Sequence, residues 1–310
     1  MNAIELKKVF KTYRKGFRAV KVPAVTDLSF VVRTGRITGF VGPNGAGKTT
    51  TIKMITGLVH PTSGTLELDG LRAGTPASRK SVAYLSEQPY FYQHLTVEET
   101  LHFTSRLIGI PHAGVRSEAA RVLETVELEA KRNVKVKELS KGMQQRLNMA
   151  QALLGNPRIL ILDEPMSGMD PPGRRLFRDI IRSLKDEDRT VFFSTHVLDD
   201  IESACDDVVV LQQGRLTYCG DVGSLLDKGF TGTEIITAPL TGDLLVTLEK
   251  TGCAVSRSNG TELVLFVNRH DDPAVQLKIL ADHAVFPKQV VRRAMRLEEV
   301  LYNPSDGRQA

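Results

Sequence analysis

The sequence predicts an α/β fold with a mostly parallel core sheet, an N-terminal antiparallel β-subdomain, a helical insertion and a small α+β appendix. Three observations predict it. An apolar, β-prone run at 37–41 leads through Gly42-Pro43-Asn44-Gly45-Ala46-Gly47-Lys48-Thr49 into a helix-compatible stretch at 49–58. A second apolar run follows Arg158, ending in Asp163-Glu164, and reads as a buried strand; another buried strand, at 190–194, is followed by His196. Such runs fit the centre of a parallel sheet. After about Gly220 the composition changes, and the order β-α-β-β-α-β suggests a small ferredoxin-like unit. The expected domains are therefore 1–220 and 221–310.

Residues 1–36 read as strands, at 4–6, 9–10 and then 28–32. A basic loop holding Gly16 and Pro23 is expected between them. Tyr13 stands just after the first strand region, as a half-buried strand aromatic or as a stacking platform for a purine. Beyond the glycine-rich loop and its helix come a turn at 61–64 and a short strand and turn at 65–70. A strand at 82–85 follows, and Pro89 stops regular structure. Thr96-Val97-Glu98-Glu99 has the capping-box pattern and opens a helix to Ile108. A second helix is expected at 116–128, within a helical subdomain of about 89–155. Leu139-Ser140-Lys141-Gly142-Met143 enters another helix, with Leu147, Ala150, Leu153 and Leu154 as apolar positions and Asn156-Pro157 as its end. Ser167-Gly168-Met169-Asp170 with Pro171-Pro172 reads as a loop, 173–184 as a helix with a polar face, and 208–218 as a hairpin. In the appendix, strands are expected at 233–237, 254–256, 263–267 and 289–293. Helices are expected at 243–251 and 273–284, with a turn at Ser258-Asn259-Gly260 and a last short helix at 297–302.

A chain of 310 residues suffices for one large domain and a small one. Its 41% hydrophobic and 25% charged residues are those of a soluble globular protein. The net charge of +5 suits an acidic partner, a nucleotide phosphate or an anionic membrane face, with a solvated surface as the plain reading for most of it. The densest basic stretch, from Lys7 to Lys21, lacks the interleaved aromatics of a single-strand platform, so no nucleic-acid partner is expected. Cys205, Cys219 and Cys253 are odd in number and form no C-x-x-C pair. That argues against a disulfide framework or zinc site and for a reducing interior. Residues 1–10 have no signal-peptide apolar core. No apolar run approaches bilayer length, so any membrane role must come through a partner.

The chemistry is concentrated at strand ends. A strand, a glycine-rich turn and a helix start gather backbone N–H groups around one concavity, a phosphate cradle. Lys48 can offer an ammonium to the β- and γ-phosphates and Thr49 a hydroxyl to Mg²⁺. Asp163 closes an apolar strand where a carboxylate can reach the metal. Glu164 points elsewhere by backbone alternation and is a candidate base for the attacking water. His196 stands at the carboxyl end of a strand, where α/β sheets place ligands. Ser140 and Gly142 stand at a helix N-terminus, a second phosphate site. It is redundant within one chain and makes sense if it serves another copy's nucleotide.

Over roughly residues 1–220 the chain resembles the nucleotide-binding subunit of an ABC (ATP-binding cassette) transporter. Residues 42–49 resemble Walker A, 139–143 the LSGGQ signature, and 158–164 Walker B with its catalytic glutamate. Residues 167–170 resemble the D-loop, His196 the switch histidine and Tyr13 the adenine-stacking aromatic. The resemblance implies a P-loop NTPase of the ABC-ATPase fold with ATP and Mg²⁺ as cofactors. The nucleotide would be bound by Tyr13, Gly42, Pro43, Asn44, Gly45, Ala46, Gly47, Lys48, Thr49 and Thr50, with Ser140 and Gly142 supplied by a second copy. The metal would fall to Thr49, Asp163 and Glu87 or Gln88, and hydrolysis to Glu164 and His196. Two departures stand out. Lys141 and Met143 replace the consensus Gly and Gln of the signature. The Q-loop position falls on Glu87, with Gln88 beside it.

The aromatic segment 89–95 lies where, by resemblance, the coupling helix of a transmembrane permease docks; local core packing is the other reading. The phrases Ser-Lys-Gly-Met and Asp-Glu-Pro-Met-Ser-Gly-Met-Asp-Pro look like ABC-2 exporters of bacteria. There the cassette is a separate chain, and two copies work on the inner face of the cell membrane. Soluble ABC ATPases acting on a ribosome or DNA resemble tandem cassettes or carry coiled-coil insertions, whereas this chain has one cassette and no heptads. Importer subunits often carry an OB-like β-rich appendix, whereas this one reads α/β.

Overall fold

The computed structural model describes residues 2–16, 20–258 and 262–294. The chain divides into one compact unit ending at Val222 and a second beginning at Gly223.

In the first unit, β1 (Asn2–Lys15) and β2 (Val20–Arg33) form a long antiparallel hairpin, and β4 (Ser63–Leu68) and β5 (Leu71–Arg72) complete a sheet of order β2-β1-β4-β5. The expected basic loop is therefore mostly strand. Tyr13 pairs with Val22 and Thr12 with Pro23. Proline is tolerated there because β2 is an edge strand with no further ladder to donate to. Alternation of charged and apolar residues is weak in this stretch, so the periodicity does not reveal it.

The second sheet joins β3 (Ile37–Val41), β6 (Val82–Leu85), β7 (Ile159–Leu162), β8 (Thr190–Thr195), β9 (Asp207–Gln212) and β10 (Arg215–Asp221) in the order β10-β9-β3-β8-β7-β6. The pairings from β9 through β6 are parallel, and only β9–β10 is antiparallel. Every residue of β3, β7 and β8 is buried, as continuous apolar runs require. Phe30 of β2, Phe40 of β3 and Phe192 of β8 interlock with ring centroids 5.2–5.9 Å apart. They join the antiparallel sheet to the parallel one within one core.

The helices are α1 (Lys48–Ile55), α2 (Val97–Leu107), α3 (His112–Thr125), α4 (Lys141–Leu153), α5 (Pro171–Asp186) and α6 (Leu198–Ala204). The Thr96–Glu99 capping box forms at α2. Two starts differ from expectation. α3 begins at His112, directly after Pro111, and α5 at Pro171, with Asp170 accepting from the Gly173 N–H at 3.1 Å. Proline needs no donor in the first helical turn, so the pair is the start of the helix and not part of the loop. α6 is too short to show a period. Among the described residues no helix is long and apolar enough to cross a membrane.

The second unit starts within α7 (Val222–Lys228), which periodicity does not announce, and continues as β11 (Phe230–Thr237), α8 (Gly242–Glu249), β12 (Ala254–Ser258), β13 (Glu262–Asn268), α9 (Pro273–Asp282) and β14 (Gln289–Ala294). Its sheet has the order β12-β13-β11-β14, all antiparallel, which is ferredoxin-like. One face packs on α8 and α9 through Ile235, Leu244, Leu248, Leu265 and Leu280. Asn259-Gly260 of the expected turn and the helix at 297–302 lie outside the described residues.

Phe192→Ala empties the point where three rings meet. It is expected to destabilise the first unit by about 3–5 kcal/mol, read as a lower urea midpoint. A change below about 1 kcal/mol would contradict this account of the core.

Candidate active site

β3 delivers the chain to the carboxyl edge of the parallel sheet, and 42–47 turn it into α1. Gly47 has φ 105°, and a Cβ there would stand 2.6 Å from the Ala24 carbonyl oxygen. A Cβ at Gly42 would stand 2.3 Å from the Leu211 carbonyl oxygen. Glycine is required at both positions by the close approach of neighbouring backbone. The loop closes on itself through Ala46 N–H to Pro43 O at 3.1 Å. Its outer side is held by Gly214 N–H to Ala46 O at 2.9 Å, from the β9–β10 turn.

Lys48 is 6% exposed. Its ammonium donates to the Gly42 carbonyl at 2.6 Å and lies 3.4 Å from Glu164 Oε1. Glu164 Oε2 is 2.9 Å from His196 Nδ1. The Glu164 carboxylate thus lies between a lysine and a histidine. Its backbone is in the left-handed region, φ 48°, a strained choice for a residue with a side chain. Ser194 holds it there: the hydroxyl accepts the Glu164 N–H at 2.9 Å and donates to Asp163 Oδ1 at 2.7 Å. Thr49 Oγ1 approaches the same Asp163 oxygen at 3.4 Å.

Burial pushes the Asp163 carboxyl above its ordinary range, and the hydrogen bonds from Ser194 and Thr49 oppose that. The Tyr84 hydroxyl on neighbouring β6 is pushed up to about 12, by burial first and then by the negative charges of Asp163 and Glu87. The carboxyl ends of β6 and β7 therefore present a negative, oxygen-lined corner beside the lysine.

A cavity of about 360 Å³ opens over these groups. Pro43, Asn44, Gly45, Ala46, Gly47, Lys48, Thr49, Thr50, Glu87, Glu164 and His196 line it, together with Ala24 and Ser167. Gly42 contributes through its carbonyl. Asp163 lies beneath, 1% exposed. Of the two Q-loop candidates Glu87 is on the wall and Gln88 is not; the Gln88 carbonyl accepts from Ser86 Oγ at 3.1 Å. Tyr13 is 40% exposed on β1 and outside the lining, with Lys11 Nζ 5.0 Å from its ring centroid.

Ser140 and Gly142 also stand outside the lining. Ser140 caps α4, accepting the Met143 N–H at 3.3 Å, and space around Gly142 is open. The start of α4 is tied to the loop after β7: Gln145 donates to the Pro165 carbonyl at 2.9 Å, and Lys141 Nζ lies across Gly168. In the segment 89–95, Phe91 is buried, whereas Tyr90 is 89% and Tyr92 49% exposed. Tyr92 meets Phe103 edge-on, with centroids 5.5 Å apart.

Sequence reading missed Ser194 and Ala24, and named Ser167 only within the D-loop resemblance, not as part of the cavity wall. A buried hydroxyl two residues before His196, at the end of an otherwise apolar strand, is the signal that points to Ser194. Ala24 acts through its backbone and leaves no side-chain signal.

The sequence pattern of the ABC transporter family matches residues 25–167. An uncharacterized ABC transporter ATP-binding protein of Synechocystis is 40% identical over 237 residues, 74% of this chain and 66% of that relative, so the match spans just under two thirds of it. The Nod factor export ATP-binding protein I of Burkholderia orbicola is 41% identical over 214 residues, 68% of this chain and 70% of the relative. Among solved structures, a dimeric bacterial ABC transporter cassette, MJ0796, superposes with a TM-score of 0.65 at 25% identity, over 71% of this chain and 98% of that one. By sequence and by fold, the chain belongs to the ABC transporter ATP-binding proteins.

Proposed function

We propose that the chain binds and hydrolyses ATP and powers export through a separate transmembrane permease, working as a homodimer on the cytoplasmic face of the cell membrane. The observation that carries this reading is the Glu164 carboxylate, 2.9 Å from His196 and 3.4 Å from Lys48 on the wall of the loop's own cavity. The backbone N–H groups of 43–50 and the Lys48 ammonium take the triphosphate. Glu164 accepts the proton of the water that attacks the γ-phosphorus, while the bond to the bridging oxygen breaks and ADP leaves with phosphate. His196 orients that carboxylate. Tyr13, exposed on β1 and outside the cavity lining, takes the adenine.

The oxygen donors Thr49, Asp163 and Glu87, in a corner of negative charge, fit Mg²⁺ and not a soft metal. When bound, the ion neutralises phosphate charge. Gln88 serves the Q-loop only if that loop turns over.

Ser140 and Gly142 stand outside the cavity at the head of α4, with open space around Gly142, which supports their completing the site of a second copy. The dimeric form of the solved cassette agrees with this. Exposed Tyr90 and Tyr92 beside buried Phe91 favour permease docking over local core packing. Export rests on the likeness to a Nod factor export protein; the cargo class is set by the permease.

Lys48→Ala is expected to weaken ATP binding at least roughly tenfold by calorimetry, and unchanged affinity would refute the role of the ammonium. Glu164→Gln is expected to lower kcat by about 10²–10⁴-fold and to trap a dimer with ATP on size-exclusion chromatography. A monomer under ATP would sink the dimer scheme. A third variant tests the metal corner. Burial raises Asp163 above its ordinary value of 3.8, so folding favours the protonated form. That help is full below 3.8 and is lost as pH rises through the raised value, above which the buried ionised group is a cost to folding. Asp163→Asn is therefore expected to melt no lower than the parent in EDTA, yet to gain little from ATP with Mg²⁺. A melting point several degrees lower in EDTA would contradict it.

A further inference from the structure

Resting on the ATPase reading above, we propose that Asp200 and Arg174 are positioning residues that aim His196 at Glu164. Asp200 lies in the first turn of α6 and is 1% exposed. A carboxylate so buried needs partners. Its Oδ2 accepts from Arg174 Nη2 at 2.7 Å and from Thr195 Oγ1 at 3.3 Å. Thr195 Oγ1 in turn accepts the Val197 N–H at 3.0 Å. One carboxylate oxygen thus organises the residues on both sides of His196.

The histidine needs that help. Its side chain is 52% exposed, so packing alone does little to fix it. Its direction is inherited from the backbone of Thr195 and Val197, which Asp200 holds. Arg174 carries the other end of the strut to the first turn of α5, just past the loop that begins at Glu164. A small cavity of about 110 Å³ is walled by Glu164, Ser167, Arg174, Thr195, His196 and Asp200. It shares Glu164, Ser167 and His196 with the larger cavity. The ion pair therefore lines the space in which acid and histidine meet, and it is built from both elements that flank them. No bond is made or broken by the pair. Its contribution is geometric: a base displaced by about 1 Å can cost about 10²-fold in rate.

The test is a double-mutant cycle in steady-state ATP hydrolysis with the full chain. Asp200→Ala is expected to lower kcat about tenfold or more while ATP affinity, measured separately by calorimetry, changes less than about twofold. In a His196→Ala background the same substitution is expected to cost nothing further, because its effect is exerted through the histidine. Arg174→Lys, which keeps the charge, is expected to retain more activity than Arg174→Met. If Asp200→Ala does not fold, as judged by circular dichroism, Asp200→Asn keeps the volume and the Thr195 acceptor and carries the same cycle. Additive effects of the Asp200 and His196 substitutions, or full kcat in a folded Asp200 variant, would overturn the strut and leave the ATPase reading standing. A wild-type chain that binds ATP without turning it over would overturn both.

Discussion

The buried ammonium of Lys48 is the constraint on which the site turns. A charge with so little access to water must be matched by nearby oxygens. It has two: the carbonyl of Gly42, at the start of its own loop, and the carboxylate of Glu164, from the end of another strand. The first closes the loop around the lysine. The second draws the end of β7 to the same point, where Ser194 on β8 holds the backbone N–H of Glu164. One charge and one hydroxyl thereby lock three neighbouring strand ends. On the proposed reading, an incoming phosphate competes with Glu164 for the lysine, so nucleotide entry and release of the carboxylate are one event.

The loop itself is shaped from outside. The carbonyl of Ala24 lies against both Gly47 and Gly214, and Gly214 in turn donates to Ala46. Thr26 N–H reaches the Gly214 carbonyl at 2.8 Å. Strand β2 and the tip of the β9–β10 hairpin therefore grip the phosphate loop from two sides. This is why an antiparallel hairpin far away in sequence belongs to the site: it supplies rigid backbone where side chains have no room.

How much of this was legible in the sequence depends on what kind of group carries it. The continuous apolar strands ending in Asp163-Glu164 and before His196 announce both the central sheet and the edge where the chemistry collects, because full burial removes alternation. Gly42 and Gly47 announce a backbone with no room for a Cβ, and Gly45 one with positive φ. The β1–β2 hairpin was less readable, since a solvated edge strand rich in lysine looks like a loop. Helices α6 and α7 are too short for a period. Ser194 and Ala24 work through a hydroxyl and a carbonyl whose partners are distant in sequence, and no local pattern reports such pairings.

The paired prolines at the head of α5 have a consequence for motion. Asp170 precedes a proline, which disfavours helical backbone there, and the next two positions have no N–H to donate. The helix therefore cannot grow backwards into the preceding segment, and its start is pinned at Pro171. With no helix to gain, the segment before α5 changes shape only through its own torsions: Gly168, φ 69°, turns either way at little cost, whereas Glu164, φ 48°, sits where a side chain is strained.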